Sequence, residues 1–132
     1  MIIYGTKIYI SFYFNFMIPR SHPRYKSLIT RNLIAEGYEK GIVHITGLIA
    51  HGRGEAFDYL LGEKTQKFAH RAALASAAWL AVAKKPVISV NGNTAILAAR
   101  EIVKLAEETG AKIEVNLFHR SEERIKKIIK LL

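Results

Sequence analysis

The chain of 132 residues contains no cysteine, which excludes a disulfide framework, a thiolate metal site and a cysteine nucleophile together, and fits a reducing cytosol. It also lacks an uninterrupted apolar run of about 20 residues, the length a membrane span needs. Its most apolar stretch, residues 1–16, is broken by Lys7 and Asn15. That stretch has no small-residue cleavage site either, so it does not read as a secretory signal. Neither a Walker A sequence nor a GxGxxG is present, and no named phosphate loop follows from the pattern. Long basic runs are missing too. The 20 Lys and Arg residues are spread from Lys7 to Lys130, which argues against a nucleic-acid groove with bunched cations and interleaved aromatics.

What is present is an ordinary globular composition, 50% hydrophobic and 23% charged, of a length that suits one domain. The formal charge of +9 makes an anionic partner the default expectation: a phosphorylated small molecule, nucleic acid or an anionic membrane surface.

Residues 1–16, MIIYGTKIYISFYFNF, differ from all that follows. Ile8, Ile10, Phe12, Phe14 and Phe16 alternate with Tyr9, Ser11, Tyr13 and Asn15, a β-strand pattern. Their Ile, Tyr, Phe, Lys and Asn bias predicts a non-native or upstream extension, with the natural start at Met17 and the domain over 17–132.

From Met17 onward, helix and strand signals alternate. Ser21-His22-Pro23 predicts a helix start, with Tyr25, Leu28, Ile29 and Leu33 as its buried stripe. Arg24 and Arg31, seven apart, share a face and can address one ligand; two solvated surface arginines read equally well. Ile42-Val43-His44-Ile45 predicts a strand, in which His44 reads as a structural residue. It feeds GLIAHGRGEAFDYLLG, residues 47–62, whose His51-Gly52-Arg53-Gly54-Glu55 sets a cation between two residues without side chains. Ala56, Phe57, Tyr59, Leu60 and Leu61 then predict a turn or two of helix closed by Gly62. A strand, a glycine loop and a helix start make a common anion site, and a Gly-capped loop with a solvated Arg53 is the bland alternative.

Thr65–Lys84 predicts an alanine-rich central helix packed against a sheet or a second subunit, with Trp79 as its anchor. Val87–Asn91 predicts a strand that runs through Gly92 and Asn93 into a helix over 95–109, with Thr94 as N-cap and Gly110 as stop. The two asparagines suit turn geometry, and also the strand-end crevice where open α/β sheets bind ligands. Lys112–Leu117 predicts another strand. It leads through Phe118-His119-Arg120, where His119 and Arg120 follow a strand end and can line the same crevice, to a helix capped by Ser121, with Ile125, Ile128, Ile129 and Leu132 on one face.

The expected fold is therefore α/β, a Rossmann-like three-layer arrangement with a mainly parallel sheet. With three strands after Met17 it is incomplete, since they are too few to cover the apolar faces of four substantial helices.

Four segments in order, IPRSHPRYKSL, GLIAHGRGEAFDYLLGE, PVISVNGNTA and GAKIEVNLFHRSEER, resemble the archaeal phosphopantothenate synthetase (4-phosphopantoate:β-alanine ligase) family from Met17 to Leu132. The resemblance implies an acid–amino acid ligase of coenzyme A biosynthesis: ATP activates 4-phosphopantoate as an acyl-adenylate, β-alanine attacks, and AMP and diphosphate leave. It implies ATP as substrate, Mg2+, a cytoplasmic homodimer, and neither membrane nor nucleic acid as partner. It matches Arg31 and Arg53 to ATP-contacting positions. His22, Arg24, His51, Gly52, Gly54, Asn91, Gly92, Asn93 and Thr94 become candidate phosphate or substrate contacts; no catalytic base and no metal ligand is assigned. The family's proteins are roughly twice as long, so the chain is expected to be an N-terminal portion, inactive alone. A non-catalytic nucleotide-binding fragment and a basic nucleic-acid-binding domain are the alternatives.

Overall fold

The computed structural model describes residues 18–132, so the strand pattern and the extension read into residues 1–16 lie outside the described residues. Five helices and two strands follow in order: α1 (Tyr25–Glu39), α2 (Ile45–Leu61), α3 (Lys67–Val82), β1 (Val87–Val90), α4 (Gly92–Thr109), β2 (Lys112–Val115) and α5 (Glu122–Leu131). The α/β class with a parallel sheet holds. β1 and β2 pair in parallel, Val87 opposite Lys112 and Val90 opposite Val115, and α4 makes the crossover that a parallel pair requires.

The core lies where that unit meets α5 and the turn after α1. Val90, Ala95, Ile102 and Ile128 are buried together with Ile42 and Leu117, and Ile88, Ile113, Val115, Ile125 and Leu132 pack around them. α4 turns Ala95, Ile102 and Ala106 inward, and Gly110 stops it in the left-handed conformation at φ 67°. Ser121 caps α5 as expected, its side chain accepting the Arg124 N–H at 3.3 Å. Ile128 of α5 is fully buried, whereas Ile129, expected on the same face, is exposed.

Several expectations are corrected. Ile42–Ile45 is not a strand, and the described residues hold two strands rather than three. The N–H groups of Ile42 and Val43 donate to the Gly37 carbonyl at 2.8 and 3.0 Å, and the Ile42 carbonyl accepts from Arg124 Nη2 at 3.0 Å. With those groups satisfied by the end of α1 and by a side chain, the β-branched run needs no sheet partner.

Residues 47–55 are not a glycine loop either. They lie within α2, a helix of 17 residues that continues through Ala56–Leu61 and ends at Gly62, in the left-handed region at φ 90°, as expected for that last part. α1 begins at Tyr25 rather than Ser21, because Pro19–Arg24 spends its backbone groups on turns: Pro19 O accepts from His22 N, and His22 O from Tyr25 N, both at 2.9 Å. Its buried residues are Ile34, Ala35 and Gly37; Ile29 and Leu33, expected inside, are exposed. The reason is the packing of α1 against α4, where a Cβ on Gly37 would lie 3.0 Å from Ile96 Cγ1. α4 starts at Gly92 with Asn91, not Thr94, as its N-cap. α3 is helical but not central: none of its residues is buried, and Trp79 is 75% exposed.

Candidate functional site

Two cavities bring the candidate residues together. The first lies between α1 and α2, about 550 Å³, lined by Arg24, Arg31, His51, Gly52, Glu55 and Tyr59 among others. The shared face expected for Arg24 and Arg31 is realised, but the two arginines are in different states. Arg24 Nη2 is ion-paired with Glu55 Oε1, which also accepts from Ser27 Oγ at 2.6 Å. The Arg24 guanidinium lies 5.5 Å from the centre of the Tyr59 ring, and its Nε lies 3.6 Å from Glu63 Oε1. Arg24 thus ties α1 to α2 and the segment after it. Among the described residues, Arg31 makes no ion pair with a carboxylate, so its charge faces the cavity uncompensated.

His22 lines a neighbouring cavity of about 470 Å³ with Arg20, Arg24, Asp58 and Glu63, and its Nδ1 accepts the Arg24 N–H at 3.1 Å. His51 and Gly52 reach the α1–α2 cavity; Arg53 and Gly54 line neither cavity and are exposed on α2. Two residues apart on a helix are turned by about 200°, so His51 and Arg53 point to different sides. The backbone N–H groups of residues 52–54 sit in mid-helix, where they are taken by the ladder. A guanidinium flanked by free loop amides, as the glycine pattern suggested, is not what this segment builds.

The second cavity, about 190 Å³, lies at the carboxyl ends of the two strands, lined by His44, Gly47, Asn91, Gly92, Asn93, His119 and Arg124 among others. Asn91, Gly92 and Asn93 are where the strand-end reading put them. Thr94 is exposed and absent from the lining; its N–H and Oγ1 both bond Asn91 Oδ1 at 3.0 Å. α4 is broken at Ala98 (φ −143°, ψ 28°), so the helical segment beginning at Gly92 is short and its dipole weak.

His119 lines this cavity as its place after a strand end suggested, Arg120 does not, and two further lining residues, His44 and Arg124, were not among the candidate contacts. His44 is the N-cap of α2, its Nδ1 accepting the Thr46 N–H at 3.3 Å. Its ring stacks on that of His119 with centroids 4.0 Å apart and planes 28° apart. Desolvation first, then the charges of His119 and Arg124, hold the His44 imidazole below its ordinary value of 6.5. Arg124 is fixed by the carbonyls of Ile42 and His119. The available signal was that both histidines adjoin a glycine-rich or strand-end segment, but their stacking is a tertiary fact. No group of three His, Cys, Asp or Glu side chains placed to hold a metal occurs among the described residues.

Comparison with known proteins shows what this chain is similar to. A family model for phosphopantothenate/pantothenate synthetase matches residues 68–132. Over that stretch the chain is similar to the phosphopantothenate synthetases. It is 61% identical over 116 residues to the 4-phosphopantoate–beta-alanine ligase of Methanospirillum hungatei, covering 88% of this chain and 48% of that one. The ligase of the same name from Thermococcus onnurineus is 57% identical over 111 residues, 84% of this chain and 42% of that one. That of Methanosarcina mazei is 55% identical over 115 residues, 87% and 46% respectively. The chain therefore spans about half the length of the curated relatives it matches. These similarities bear out the family resemblance read from the four motifs.

Proposed function

We propose that the chain is a portion of an ATP-dependent ligase that condenses 4-phosphopantoate with β-alanine, with release of AMP and diphosphate. The observation that carries the reading is the identity of 55–61% to relatives bearing that ligase name. The net charge of +9 fits two phosphorylated ligands.

In this reading the α1–α2 cavity takes the nucleotide. Its volume of about 550 Å³ exceeds that of the strand-end cavity, and Arg31 offers a charge that no carboxylate among the described residues pairs with. Arg53, matched by resemblance to an ATP contact, lies outside that cavity and would meet a nucleotide only on the exposed side of α2. The strand-end cavity takes an anionic group of the second substrate. Arg24 acts as a positioning residue, because its charge is already shared by Glu55 and Glu63.

Mg2+ commonly binds through one or two carboxylates and the substrate's own phosphates. That mode suits the donors here, single carboxylates such as Asp58 and Glu63 beside the α1–α2 cavity, better than a protein cage would. When bound, the ion supplies charge neutralisation on the phosphoryl oxygens. The missing half of the site comes from sequence beyond this chain or from a second copy, as in a homodimer.

The direct test is calorimetry of the chain with ATP and with 4-phosphopantoate. The reading expects each to bind in the presence of the other. Competition between the two for one site, or binding of neither, contradicts it. A flat salt dependence of any DNA or RNA binding removes the basic nucleic-acid domain as an alternative, which requires a slope of about −0.9 per neutralised phosphate.

A further inference from the structure

We propose that His44, His119 and Arg124 form a phosphomonoester subsite in the strand-end cavity, and that it receives the phosphate of 4-phosphopantoate rather than any phosphate of ATP. The identity of the ligand's remaining atoms rests on the ligase reading; the anion site itself does not.

Charge comes first. The lining of this cavity contains two histidines and an arginine and no Asp or Glu. In the α1–α2 cavity, by contrast, Glu55 already neutralises Arg24. Two imidazoles stacked 4.0 Å apart, beside a guanidinium, repel one another whenever both are protonated. A dianion between or beside them turns that repulsion into attraction.

Donor geometry comes second. His44 Nδ1 accepts the Thr46 N–H, so in the neutral ring the proton sits on Nε2, which remains a donor even before the ring is charged. Asn91 uses Oδ1 on the Thr94 N–H and hydroxyl, which leaves its NH2 for a ligand. Arg124 is held by two backbone carbonyls and Asn93 by the Gly47 carbonyl at 2.9 Å, so the donors are positioned before any ligand arrives.

Size comes third and suits a small anionic group. A cavity of about 190 Å³ holds a phosphate and a few carbons. It falls below the range of roughly 300–1,000 Å³ typical of sites for drug-sized molecules, to which a nucleotide belongs. The neighbouring α1–α2 cavity lies within that range.

The test titrates the chain with inorganic phosphate, 4-phosphopantoate, pantoate and ATP, following the two imidazoles by NMR and affinity by calorimetry. His44→Asn keeps a good capping side chain on α2, and His119→Gln keeps a hydrogen-bonding one, so folded variants are available for both positions. Inorganic phosphate is expected to shift the imidazole resonances of both histidines, each variant to weaken phosphate binding at least tenfold, and neither to change ATP affinity. 4-Phosphopantoate binding more tightly than phosphate or pantoate upholds both the subsite and the ligase reading. Phosphate acting on the histidines while 4-phosphopantoate binds no better than phosphate upholds the subsite and removes the ligase reading. Histidines indifferent to phosphate, or variants that bind it as well as the parent, overturn the subsite whatever the chain's activity. Loss of ATP affinity in both variants assigns the cavity to the nucleotide and overturns the proposal as well.

Discussion

Asn93 Nδ2 donates to the carbonyl oxygen of Gly47 at 2.9 Å, joining the start of α4 to the first turn of α2 across 46 residues of sequence. The contact requires glycine at 47: an added Cβ would run into the Asn93 side chain and lie 3.0 Å from Val43 Cγ1. Gly47→Ala is therefore expected to destabilise the chain by about 1–3 kcal/mol, the usual cost of forcing extra volume into a packed contact. Asn93→Ala leaves the Gly47 carbonyl short of its donor and is expected to cost about 1 kcal/mol. Urea denaturation of both variants checks the pair; unchanged midpoints contradict the contact.

Gly52 and Gly54 predict the opposite. Both lie inside α2, and a Cβ at either meets nothing within 4 Å. Glycine in a helix interior is less favourable than alanine by about 0.8–1.0 kcal/mol, so Gly52→Ala and Gly54→Ala should each stabilise the chain by up to that amount. The same melts read it. A destabilised Gly54→Ala would mean that the segment leaves the helix in solution.

Arg24 and Arg31 separate a positioning role from a binding one. Arg24→Ala removes the partner of Glu55, whose side chain is only 11% exposed, and is expected to lower stability by about 1–3 kcal/mol. Arg31→Ala should leave stability within about 0.5 kcal/mol, as for surface changes away from special features. It should weaken ATP binding tenfold or more, in line with about 1.5–3 kcal/mol for a hydrogen bond to a charged group. Calorimetric ATP titration beside thermal melts distinguishes the two; equal effects on both variants would contradict the division of roles.

His44 gives the pH dependence. Its folded-state value lies below 6.5, so the unfolded chain takes up this proton first as the pH falls. The stabilisation from the neutral, α2-capping imidazole is complete above pH 6.5 and is lost as the pH drops through the lowered value. Melting temperature between pH 8 and pH 5 should therefore fall less in His44→Asn than in the parent. Glu123, held below its ordinary value mainly by the hydrogen bond from Lys127 and then by that residue's charge, contributes in the same sense at lower pH.

How much of this was legible can be followed element by element. α5 was readable because its signals are local: Ser121 as a cap, Glu122 and Glu123 in the first turn, and isoleucines at helical spacing. The parallel β1–α4–β2 unit was readable for the same reason. Ala56–Leu61 with Gly62 as its stop was legible, but the segment 47–55 was misread because glycine content was taken as loop, whereas tertiary contact at Gly47 and the cap from His44 fix it as helix. Ile42-Val43 looked like a strand because β-branching reports a residue's preference and not whether a neighbouring strand exists. The exposed face of α3, with Phe68, Leu74, Trp79 and Val82, looked central because an apolar helix signals that it must be covered and not by what. In the site, residues close to strand ends were found. The histidine stack was not, since His44 and His119 are brought together only by the turn after α1 packing beside the end of β2.

The central claim is the reaction, and one assay tests it most directly. The chain, completed by fusion to the remaining part of the Methanospirillum hungatei ligase, is incubated with ATP, 4-phosphopantoate and β-alanine, and the nucleotide product is identified. The account predicts AMP, formed only when all three substrates are present. ADP in place of AMP, or AMP formed at the same rate with 4-phosphopantoate or β-alanine left out, would contradict it.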